Sequence, residues 1–183
     1  MKNKFDKGVL LEFLKRIDDV IDYQVTVISV GGTALGLFNA KPFSEDIDLA
    51  YITNRESAFD KCARETAAKL AIPEKDLHLF SSAEMAALTN IPDFANRAAD
   101  FKGAAFKHIN LKVMDLYDII ISKVKRFDRR DIKDLSTVLN QFEIREGWLD
   151  KRYDFVMRVY QDYKPDFIRN YQLFKKLYKH LLK

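Results

Sequence analysis

"VGGTALGLFNAKPFSEDIDLAYI", residues 30–52, sets two adjacent glycines behind an apolar run and an Asp-x-Asp triplet a short way on. The chain has 183 residues and only six glycines, so a pair of them marks a place where the backbone turns sharply or admits a close neighbour. The residues before the pair, YQVTVISV at 23–30, are β-branched and aromatic and predict a buried strand. Residues 33–38 predict a short helix and residues 46–52 a second strand. On such a strand Asp46 and Asp48 project from one face while Ile47 faces the core. Two like charges there call for a cation, and the N-terminus of the helix behind Gly31 and Gly32 is a favourable seat for a phosphate.

Outward from this stretch, Val9, Leu10, Phe13, Leu14, Ile17 and Ile21 recur at helical spacing and predict a helix ending near Asp22. Residues 54–72 predict another helix, with Asn54 as its N-cap. From Pro73 to Lys107 no period is sustained; residues 96–103 give a short strand and residues 109–115 a better one. Asp115 stands as the cap of a helix over 116–127, with Asp118 in a relation resembling a capping box. Three further helices are expected over 128–142, 148–163 and 166–182, the last announced by Pro165. The fold class is therefore α/β (α+β), with an α/β domain at 1–115 and a helical domain at 116–183.

The length suits a packed core, and the balance of apolar and charged residues excludes a disordered chain. A single cysteine, Cys62, forms no internal disulfide and reads as a small buried apolar residue. Charged residues interrupt any signal-peptide core, and no run approaches a membrane span, so the cytoplasm is the expected location. His78, His108 and His180 lack metal-ligand spacing, which gives a zinc site little support. Residues 144–183 carry ten Lys or Arg against five Asp or Glu, so the excess of positive charge is C-terminal.

The order GGTAL, then SEDIDL, resembles the signature of the DNA polymerase β-type nucleotidyltransferase superfamily, in which a Gly-Gly or Gly-Ser turn and an Asp-x-Asp strand hold a nucleoside triphosphate and its metal ions. A second segment, DLYDIIISKVKRFDRRDIKDL at 115–135, is similar to that of the minimal, AbiEii-like nucleotidyltransferases. The resemblance implies a small mixed-sheet core followed by a helical bundle. It implies Asp46 and Asp48 as ligands of Mg²⁺ or Mn²⁺, and Gly31, Gly32, Thr33, Ser44 and Lys123 as nucleotide contacts. It implies Lys123 and Asp131 as completing the catalytic set, with Asp134 as the alternative to Asp131. A third metal carboxylate is expected from a strand beside the triplet: Asp100 first, Asp115 second. Family members often carry an arginine before the triplet, where this chain has Lys41 and Pro42; Lys41 is the candidate to supply that charge.

Two further expectations concern partners. Tyr171, Phe174 and Tyr178 interleave with Lys175, Lys176 and Lys179 near the C-terminus, a composition suited to RNA but also to a helix whose aromatic face packs on the core. The AbiEii-like resemblance implies an RNA acceptor such as tRNA and a toxin opposed by an antitoxin protein. A small-molecule acceptor, as in antibiotic nucleotidylation, and an inactive nucleotide-binding module are the other two readings.

Overall fold

The computed structural model describes residues 4–159 and 164–183, and these form a mixed α/β protein. Two compact units emerge: Met1–Met85 with Ala95–Met114, and Ala86–Phe94 with Asp115–Lys183.

The first unit is built on a five-stranded mixed sheet. Its strands are β1 (Val25–Ser29), β2 (Ile47–Ile52), β3 (Leu77–Ser81), β4 (Ala99–Asp100) and β5 (Ile109–Val113), in spatial order β3-β2-β1-β5-β4. β2 runs antiparallel to β1, while β5 is parallel to β1 and β3 parallel to β2. Register places Val27 beside Tyr51 and Leu111, and Leu49 beside Leu79, so these apolar residues share one buried face. Helix α3 (Glu56–Lys69) meets that face, its Phe59 ring lying 5.0 Å from the Tyr51 ring. Helix α1 (Lys7–Asp18) packs along α3 and buries Leu10, Phe13, Leu14 and Ile17. Asp18, at its last turn, accepts hydrogen bonds from the backbone N–H groups of Lys107, His108 and Ile109, which anchors α1 to the start of β5.

Several boundaries differ from expectation. Helix α1 ends four residues early, leaving Val20 exposed. Asn54 is not the cap of α3: that position falls to Arg55, whose N–H donates to the Thr53 hydroxyl. The region from Pro73 holds a 3-10 turn (Glu74–Asp76) and then β3 (Leu77–Ser81), whose brief alternation lies among loop-like residues. Cys62 is half-buried, and burial pushes its thiol up.

The second unit centres on helix α6 (Leu116–Arg126), which contacts α7 (Arg129–Gln141), α8 (Glu146–Val159) and α9 (Lys164–Tyr178). Asp115 caps α6 through the Tyr117 N–H, and Asp128 caps α7 through the Arg130 and Asp131 N–H groups. Asp118 is fully buried and accepts from Arg152 of α8, a core cation. The second half of α4 (Ser82–Thr89) joins this unit: Lys125 donates to the Leu88 carbonyl, and Arg152 donates two hydrogen bonds to Asp93. Residues 160–163, the expected end of the helix beginning near Trp148, lie outside the described residues. No described helix is long and apolar enough to cross a membrane.

Candidate active site

The Gly-Gly turn and the acidic strand meet inside the sheet unit. β1 ends at Ser29, and Val30 donates its N–H to the Asp48 carbonyl. Gly31 then adopts φ +54°, a left-handed conformation that side-chain-bearing residues rarely take, and opens the short helix α2 (Gly31–Leu37). A Cβ on Gly31 would stand 3.3 Å from Asp48 Oδ2, and one on Gly32 would stand 2.8 Å from Ser44 Oγ and 3.3 Å from Lys41 Nζ. The two bare Cα atoms therefore let a carboxylate, a hydroxyl and an ammonium crowd the turn. Ser44 is fixed there by paired backbone hydrogen bonds with Phe5.

Thr33 locks the acidic residues to the turn. Its buried hydroxyl donates to the Asp46 carbonyl at 3.1 Å and accepts from the Asp48 N–H at 2.9 Å. This gives Thr33 a positioning task in addition to the nucleotide contact implied by resemblance. Asp46 sits immediately before β2 and Asp48 within it, with Ile47 fully buried between them. Burial, and after it the charge of Asp48, push the Asp46 carboxyl above the usual carboxylate range.

One participant is absent from the sequence-based set. The parallel register of β2 and β3 puts His78 directly beside Asp48, with Nδ1 2.8 Å from Oδ1. Nε2 lies 3.2 Å from the Lys75 carbonyl. The bond to the Asp48 carboxylate raises the imidazole above its usual range. The alternation in LHLFS was the available signal; the pairing of β3 with β2 was not readable from it.

Asp100 does not lie beside the triplet. It sits on β4, at the sheet edge, with β5 and β1 interposed before β2, a separation of roughly 14 Å at the usual interstrand spacing. Its cross-strand neighbour is Lys112, whose ammonium is 3.5 Å from its carboxylate. Among the described residues no group of three His, Cys, Asp or Glu side chains is arranged to hold a metal. Asp46 and Asp48 nevertheless fit a hard divalent cation that takes its other ligands from water and phosphate oxygens: both donors are oxygens, and their unfavourable proximity already shows in the Asp46 shift.

In the helical unit, Lys123 is buried, its ammonium 2.6 Å from Asp134 and 3.3 Å from Asp131. Asp131 is completely buried and also accepts a bidentate pair from Arg126 at 2.7 and 3.0 Å. Phe127, left-handed at φ 53°, makes the turn between α6 and α7 that brings these groups together. Both acids considered from the sequence, Asp131 and Asp134, thus hold the same lysine. On α9 the aromatic stripe is committed inward: Tyr171, Phe174 and Tyr178 are buried, and Tyr153 stacks on Tyr171 at 3.8 Å. These rings are not available to stack on bases. Lys175 is taken by Asp150 and Glu146 of α8, which leaves Lys176 and Lys179 as exposed cations of that interleaved set.

Neither the curated proteins nor the solved structures include a significant match to this chain. A family profile described as "Nucleotidyltransferase of unknown function (DUF6036)" matches residues 9–179, which takes in the turn, the acidic strand and the lysine-bearing helix alike. By that match, which covers most of its length, the chain belongs to the DUF6036 nucleotidyltransferase family.

Proposed function

We propose that the protein moves a nucleoside monophosphate from an NTP to an acceptor hydroxyl with the help of Mg²⁺ or Mn²⁺. The observation that carries this is the contact of Asp48 Oδ2 with the side-chain-free face of Gly31, in a turn whose next residue faces Lys41 and Ser44. Carboxylates for a cation and a cationic, open turn for phosphates therefore lie within one loop-and-strand unit. Asp46 and Asp48 would hold the cation, which when bound polarises the phosphate and offsets charge on the leaving group. Gly31 and Gly32 admit the phosphates, Ser44 and Lys41 face them, and Thr33 keeps the acidic strand at its distance from the turn. In the transfer the acceptor oxygen bonds to the α-phosphorus, the bond to the β-phosphate oxygen breaks, and pyrophosphate and the hydroxyl proton depart. We assign Lys123 the triphosphate contact that the resemblance implies, with Asp131 fixing its ammonium and Asp134 sharing that task.

The acceptor we assign is RNA, held through phosphates by exposed cations such as Lys176 and Lys179, in a toxin role opposed by an antitoxin protein. The test is incubation with each labelled NTP, Mg²⁺ or Mn²⁺, and total cellular RNA, a small-molecule panel or the protein alone. Labelled RNA, with growth arrest on expression, is the expected result. A labelled small molecule moves the acceptor to that class, and no transfer with any NTP overturns the enzymatic reading. Asp46→Asn and Asp48→Asn are expected to abolish transfer and leave the fold intact; Lys123→Met is expected to abolish transfer while Mn²⁺ binding persists.

A further inference from the structure

Asp48 is held from two sides. Its Oδ2 lies against Gly31, and its Oδ1 accepts from His78 Nδ1 at 2.8 Å. His78 owes its place to strand alternation: Leu77 and Leu79 turn into the core, so His78 and Phe80 emerge on the face that Asp48 occupies, and the parallel register sets His78 beside Asp48. The ring is itself braced. Its Nε2 meets the carbonyl of Lys75 in the 3-10 turn that leads into β3, and Phe80 lies tilted against it with ring centroids 6.3 Å apart. With one nitrogen at the Asp48 carboxylate and the other at the Lys75 carbonyl, the ring is held from both ends.

We propose that His78 is a positioning residue for the reaction: it fixes the Asp48 carboxylate so that Oδ2 stays turned to the Gly31 turn, where cation and phosphates are to be bound. This rests on the reading of Asp48 as a cation ligand. Partners that orient a ligating carboxylate are expected to matter for affinity, because an unheld carboxylate must be ordered when the ion binds. It also assigns β3 a purpose at the site, on the strand nearest the acidic triplet where a third carboxylate was expected.

The experiment measures Mn²⁺ affinity by electron paramagnetic resonance of the free ion, with NTP turnover alongside, for His78→Ala, His78→Asn, His78→Gln and Asp48→Asn. Asparagine places an N–H near the position of Nδ1, whereas glutamine places one near Nε2, on the Lys75 side. His78→Ala and His78→Gln are expected to weaken Mn²⁺ binding about 10- to 100-fold, and His78→Asn to restore most of it. Wild-type Mn²⁺ affinity in His78→Ala, while Asp48→Asn loses binding, overturns the role of His78 alone; so does equal recovery with Asn and Gln. Undiminished binding in Asp48→Asn overturns the reading of Asp48 as a ligand and the proposal with it. Because His78 is partly exposed, the variants are expected to melt close to wild type, which separates lost binding from lost fold.

Discussion

Gly31 is the residue on which the site turns, since its φ of +54° and the 3.3 Å approach of Asp48 Oδ2 each disfavour any side chain there. Gly31→Ala is expected to cost about 1–2 kcal/mol from backbone strain alone, read as a lower urea midpoint. It is expected to lower NTP turnover further than that loss explains, because the new methyl displaces the carboxylate. Thr33→Val tests the neighbouring constraint. It preserves shape but removes the hydroxyl that donates to Asp46 and accepts from Asp48, and buried groups left without a partner cost about 1–3 kcal/mol. The expected outcome is reduced stability with weaker Mn²⁺ binding; unchanged binding would mean that the strand holds its carboxylates without Thr33. Gly31, Asp46 and Asp48 were legible in the sequence because left-handed turns and like-charge pairs are local chemistry. His78 was not, since its role depends on which strand lies next to β2, and that is settled by packing over long range.

At the level of elements, α1, α2 and the β1-turn-β2 unit follow from periodicity and turn chemistry, whereas β4 was readable as a short strand within 96–103 but its place in the sheet was not. Two residues of strand carry no pattern that says which strand lies beside them, and Asp100 stands on the edge strand, with β5 and β1 between it and β2. The union of α1 with β5 is likewise invisible in sequence, since it runs from Asp18 to backbone groups about ninety positions on. It predicts a pH dependence. Burial pushes the Asp18 carboxyl up, but the three N–H donors outweigh it and leave the group below its usual 3.8. A depressed folded value means that the contribution is fully present above the unfolded value and is lost as pH falls below about 4 through the folded one. Asp18→Asn is therefore expected to flatten the acid limb of the stability curve below pH 4 while lowering stability at neutral pH, as urea melts across pH report. Helix α9 separates in the same way into a buried and an exposed face. Phe174→Ala is expected to cost about 3–5 kcal/mol, whereas replacing Lys176 and Lys179 by Glu leaves stability near wild type and weakens any RNA binding in a salt-dependent manner.

Across the whole molecule, the chain leaves its sheet unit at Ala86, contributes Ala86–Phe94 to the helical unit, and returns before β5 is made. A linear division at residue 115 misses this excursion, because nothing in the local pattern around Asn90 states where it is held. One tie that holds it is Arg152, buried, which joins Asp118 on α6 to Asp93 in the excursion. Removing the cation from such a triad leaves the fully buried Asp118 carboxylate without that cation, a change that typically costs about 3–5 kcal/mol. Arg152→Met retains most of the side-chain volume and so isolates the loss of charge. Trp148, the single tryptophan, lies on α8 in the same unit, its ring 6.2 Å from Tyr117, and its fluorescence reports on the helical unit. The expected outcome for Arg152→Met is a Trp148 transition at markedly lower urea, accompanied by protease cleavage within 86–94 under conditions where the wild type resists it. Mn²⁺ binding at Asp46 and Asp48 is expected to persist until the sheet unit unfolds. Simultaneous loss of the fluorescence signal and the ion would instead mean that the two units melt as one, and that the triad stabilises the entire chain rather than the unit that contains it.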